Sequence, residues 1–187
     1  MPDFKLNSEL TISRSFKELG FHCFSEAITY VKNLPYSRNS NREDFLLVLR
    51  ENKGTCSSKH ALLKSLADEN NHPEVKLMLG IFKMNEVNTP KVKKVLEKFG
   101  LKYIPEAHNY LKINHKIYDC TTISSSEINF VNDLILEAEI QPCQVSESKI
   151  EFHQNFLKQW IADKPFSSEE IWAIREQCIY ALSSNSK

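Results

Sequence analysis

Residues 108 to 121 hold two short runs of strand character, His108 to Ile113 and Lys116 to Thr121, separated only by Asn114-His115. A connection that short joins strands antiparallel, because a parallel neighbour needs a crossover of about a dozen residues or more. Upstream, Glu74 to Met84 alternates Val75, Leu77, Leu79 and Ile81, as a half-buried strand does. No repeated strand–helix unit accompanies these runs. The pattern therefore predicts an α+β fold with an antiparallel sheet.

Apolar spacing of three and four residues predicts helices around it. One covers Phe21 to Asn33, on Phe24, Ala27, Ile28 and Val31, and a short one covers Glu43 to Arg50. Between them Leu34 to Arg42 reads as a loop. A helix from Cys56 to about Asn70 presents Ala61, Leu62, Leu63, Leu66 and Ala67 on one face, with Thr55 or Ser57 as cap. Further helices are expected from Thr89-Pro90 to Gly100, Ser125 to Ala138, Lys149 to Ala162 and Ser168 to Leu182. The last opens on a capping box, Ser167-Ser168-Glu169-Glu170. Glu139 to Gln144 reads as an edge strand, held there by Pro142. A chain of 187 residues is expected to form a single domain, 1–187, with residues 125–187 as a helical extension packed on the rest.

Composition narrows the functional classes. Lys plus Arg and Asp plus Glu both number 24, so no net charge favours a nucleic-acid or anionic-membrane partner, and neither is expected. No apolar run approaches the roughly 18 residues that span a bilayer. Met1 to Glu9 lack the basic start and apolar stretch of a signal peptide, so the cytoplasm, where thiols stay reduced, is the expected compartment. The five cysteines, an odd number at irregular spacings, argue against a disulfide framework. Cys23, Cys143 and Cys178 read as packing residues, His22 and His153 as surface or helix-face residues, and Lys91, Lys93, Lys94 and Lys98 as a solvated face.

Cys56, His108 and Asp119 form an ordered triple: a thiol at a helix start, a histidine on a strand, and an aspartate on the paired strand. The first helical turn aims backbone N–H groups and the positive dipole end at the sulfur, favouring the nucleophilic thiolate. The same groups can hold an oxyanion. His108 would take and return the proton, and Asp119 would orient the imidazole. A turn at Ile113-Asn114 places positions 108 and 119 opposite each other; a turn at Asn114-His115 makes them diagonal. Both put them on one face, whereas a three-residue loop without a bulge would separate them. Cys56 and His60, four apart, could join His108, His115 or Cys120 around a metal, but no Cys-x-x-Cys or His-x-x-x-His supports this, and no metal or cofactor is expected.

Gly54-Thr55-Cys56, His108-Asn109-Tyr110 and Asp119-Cys120-Thr121 resemble the motifs of the transglutaminase-like superfamily of papain-like cysteine enzymes. Ala27 to Tyr36 resembles the helix and loop leading into that core, so the resemblance spans residues 22–124. It implies an antiparallel sheet packed on the Cys-bearing helix, and acyl transfer on a peptide or protein amide through Cys56, His108 and Asp119, without a cofactor. Because some members have lost catalysis, it also implies an alternative, an inactive binding module. This chain departs at Tyr110, where Trp is commoner, at Cys120, where Pro is common, and at Lys59-His60, where an acidic or aromatic residue is usual.

Overall fold

The computed structural model describes residues 3–122 and 130–183. Its architecture is α+β: among the described residues, seven α-helices accompany a four-stranded antiparallel sheet. The helices are α1 (Thr11–Glu18), α2 (Phe24–Asn33), α3 (Leu47–Arg50), α4 (Cys56–Glu69), α5 (Lys93–Lys98), α6 (Glu147–Trp160) and α7 (Ser168–Ser183). The strands β1 (Val75–Met84), β2 (Ile104–Ile113), β3 (Lys116–Tyr118) and β4 (Leu134–Ile140) lie in the order β3-β2-β1-β4. Among the described residues no helix is long and apolar enough to cross a membrane.

The described chain divides into two compact units, residues 3–79, 109–122 and 138–146 in the first and 80–108, 130–137 and 147–183 in the second. In the first, α4 packs against α1, α2 and α3. Its apolar face is the expected one, with Ala61, Leu62, Leu63, Leu66 and Ala67 fully buried. Lys59 and His60 are fully buried as well, so this helix carries polar groups that must find partners inside.

The region after residue 124 departs from expectation. Instead of a helix from Ser125 to Ala138, residues 134–140 form β4, while 125–129 lie outside the described residues. Leu134-Ile135-Leu136-Glu137-Ala138-Glu139-Ile140 alternates in exposure, and Glu139 pairs with Lys76 of β1 at 2.7 Å. Leu, Glu and Ala also propagate helices well, and that preference obscured a period of two. The expected strand from Glu139 to Gln144 is thus the end of β4 followed by a 3-10 turn at Pro142–Gln144. The short helix expected from Glu43 is confined to Leu47–Arg50.

In the second unit α7 packs against α5, α6 and the 3-10 turn Pro90–Val92. The capping box forms as read: Ser167 Oγ accepts from Glu170 N at 3.1 Å, and Glu170 Oε2 accepts from Ser167 N at 2.8 Å. Arg175 of α7 grips Glu106 of β2 through two parallel bonds, Nε to Oε2 at 2.8 Å and Nη2 to Oε1 at 2.5 Å. His153 of α6 donates from Nε2 to Pro105 O at 2.9 Å.

Burial pushes the His153 imidazole below its ordinary value, although the Glu106 charge opposes this. Burial pushes Glu106 up, but the charges of Arg175, His153 and Lys149 outweigh it and leave the carboxyl lowered. In both cases the unfolded chain binds the proton more readily, so stability falls as pH drops. The loss begins below the ordinary histidine value of 6.5 and resumes below the ordinary glutamate value of 4.5. Urea midpoints from pH 8 to 4 should fall in these two steps, and His153→Gln, whose amide can still reach Pro105 O, should remove the upper one. An upper step that survives that substitution refutes its assignment to His153.

Candidate active site

Cys56 is the first residue of α4 and is 8% exposed. Thr55 supplies the cap: its Oγ1 accepts from Ser58 N, and its own N–H donates to Ser58 Oγ at 3.0 Å. Ser58 Oγ in turn donates to Asn39 Oδ1 at 2.8 Å, and Asn39 Nδ2 reaches Leu47 O and Lys53 O. The loop after α2 is thereby braced against the turn that delivers the thiol. Gly54 has no left-handed φ; a Cβ there would meet Lys59 Cγ at 2.8 Å and Ser58 Oγ at 3.0 Å. Close approach of the Lys59 stem is the reason for glycine at 54.

Ser57, beside Cys56, donates from Oγ to Asn109 Oδ1 at 3.0 Å, and Asn109 Nδ2 donates to Met78 O at 3.0 Å. Asn109 is fully buried on β2. Sequence reasoning gave it no role, although a lone amide among β2's apolar residues was a signal that something distant needed a partner.

Asp119 follows β3 directly. Its Oδ1 accepts from Thr121 N at 2.9 Å and Thr121 Oγ1 at 2.5 Å, a side-chain turn that accounts for the Asp-x-Thr spacing. The same oxygen lies 3.7 Å from His60 Nε2. His60 Nε2 is also 2.7 Å from the Cys120 backbone nitrogen, and its Nδ1 is 2.7 Å from Cys56 O. A backbone amide only donates, so Nε2 accepts and the ring proton sits on Nδ1, donated to Cys56 O. Both ring nitrogens of His60 thus meet backbone groups. That removes it as a metal ligand, and among the described residues no group of three or more His, Cys, Asp or Glu side chains could hold a metal ion.

The first unit thus brings Cys56, His60 and Asp119 together. His108 belongs to the second unit, half-buried on β2. Its ring meets Phe130 edge-on at 4.9 Å and Phe82 at 6.1 Å between centroids. The hairpin turn is at Asn114-His115, both with positive φ, and pairs Leu111 with Tyr118 and Ile113 with Lys116. This is the second of the two registers considered, in which the count makes positions 108 and 119 diagonal; the ladder itself ends at Tyr118. Cys120 is nearly fully buried, and burial, reinforced by the Asp119 charge, pushes its thiol up to about 12. The reactive cysteine of this region is therefore not Cys120.

No protein-family model, curated protein or solved structure matches this chain.

Proposed function

We propose that the chain is a cysteine-dependent acyl-transfer enzyme with a transglutaminase-like, papain-like core. Cys56 is the nucleophile, His108 the general base and acid, and Asp119 the group that orients the imidazole. The substrate class is an amide, peptide or isopeptide. The Cys56 thiolate attacks the carbonyl carbon, and the oxygen takes up the negative charge near the Cys56 backbone N–H. His108 protonates the leaving nitrogen as the C–N bond breaks, leaving a thioester. Water, deprotonated by the same imidazole, then releases the carboxylic acid and the thiol. Hydrolysis is favoured over transfer to an amine because water is always available.

The observation that carries this reading is the position of Cys56 in the first turn of a 14-residue helix, where backbone N–H groups and the positive dipole end favour its thiolate. A second reading, an inactive binding module of the same core, draws support from the 8% exposure of Cys56.

Site-resolved alkylation of Cys56 across pH separates the two. The enzyme reading expects a thiolate midpoint well below the ordinary ~8.5. His108→Ala should raise it by about one unit or more, slowing reaction at pH 7 about tenfold. An ordinary midpoint, unmoved by His108→Ala, leaves the binding-module reading in place.

A further inference from the structure

Lys59 is fully buried one turn along α4 from Cys56, with its stem seated against Gly54. Its ammonium donates to Leu34 O, where α2 ends, at 2.5 Å, and to Thr121 O, two residues past Asp119, at 2.7 Å. Carbonyl oxygens satisfy hydrogen bonds but carry no full charge. An ammonium kept from water also needs a counter-charge, and an interior without a use for the charge would be as stable with an apolar residue of similar volume.

The ionisable groups facing Lys59 are Asp119, Cys56 and Cys120; Lys32 and His60 lie just beyond, against Cys120 and Asp119 respectively. Cys120 is held neutral by burial. The anions left to face the ammonium are therefore the Asp119 carboxylate and the Cys56 thiolate.

We propose that Lys59 is a positioning residue of the thiol site: its buried ammonium fastens the Asp119–Thr121 segment through Thr121 O and supplies the counter-charge that stabilises the Cys56 thiolate. The inference rests on the acyl-transfer reading above and adds an activating charge that the Cys-His-Asp motif does not contain. Burial pulls the Lys59 ammonium down, and Cys120, Asp119 and Cys56, in that order, pull it back, to about 8, so it stays charged at neutral pH and discharges on the alkaline side. The coupling is reciprocal: whatever holds the proton on Lys59 when Cys56 is charged removes it from Cys56 when Lys59 is charged.

The test is Lys59→Met, which keeps the apolar stem and deletes the charge, read by Cys56 alkylation across pH with circular dichroism as a folding control. The midpoint should rise by about one unit, a tenfold slower reaction at pH 7. A folded variant with an unmoved midpoint overturns the proposal while leaving the His108 effect, and so the acyl-transfer reading, intact. An ordinary Cys56 midpoint in the wild type overturns both. Should Lys59→Met fail to fold, NMR titration of the lysine 13Cε signals in the wild type and in Cys56→Ser decides the matter. Lys59 should titrate near 8 in the wild type and lower in Cys56→Ser, because a neutral hydroxyl supplies no counter-charge. Equal midpoints, the behaviour of a merely structural lysine, overturn it.

Discussion

Arg175→Ala is expected to destabilise the fold by about 3–5 kcal/mol, because it leaves the Glu106 carboxylate buried without its cation. Glu106 is 7% exposed and receives two parallel guanidinium bonds. Arg175 also donates to Glu176 at 2.6 Å and lies over the Trp172 ring at 5.1 Å, so truncation removes packing as well as charge. Lys149 adds positive potential at Glu106 but lacks the planar fork that matches a carboxylate, and His153, pushed down by burial, carries little charge at neutral pH. The double substitution Glu106→Leu with Arg175→Met removes both charges and should recover most of the loss, within ~1–2 kcal/mol of the wild type. Urea denaturation of the two variants is the measurement. A single variant within about 0.5 kcal/mol of the wild type, or a double variant no better than the single, would show that the pair is not what fastens α7 to β2.

This pair also marks what a sequence can express. The turn at Asn114-His115, the alternation in β1, the Thr55 cap and the Ser167–Glu170 box are local devices, made by residues within a few positions of one another; the alternation and the box were legible outright, the turn and the cap each as one of two alternatives. What escaped depends on distant partners. Helix α1 went unread because its N-terminus is capped from the far end of α4: Glu69 accepts from Ile12 N at 3.0 Å and Ser13 N at 2.6 Å. Residues 134–138 of β4 suit a helix as well as a strand, and only the place of β4 beside β1 resolves the ambiguity. At the candidate site, Cys56 and Asp119 were legible as motif residues. Lys59 stood out only as a departure from a family pattern, and His60 as that and as a possible metal ligand beside Cys56, since their partners Leu34, Thr121 and Cys120 lie 25 to 62 residues away.

His60→Leu should cost about 1–3 kcal/mol, because one buried N–H loses its acceptor. That group is the Cys120 N–H, in surroundings where Cys120 is 1% exposed, whereas Cys56 O loses its side-chain donor but keeps the helical bond from the His60 N–H. The side chains are similar in volume, so the cost reports hydrogen bonding more than packing. His60→Gln can return an acceptor towards Cys120 and should recover part of the loss. Hydrogen exchange at the Cys120 amide supplies a local readout: fast in the leucine variant, intermediate in the glutamine variant, slow in the wild type. The two histidines should therefore separate cleanly, His60 acting on stability and Cys120 protection, His108 on the Cys56 thiolate. If His60→Leu leaves stability untouched and raises the thiolate midpoint while His108→Ala does not, the base of this site is His60, and its proton does not rest on Nδ1 as the hydrogen bonds require.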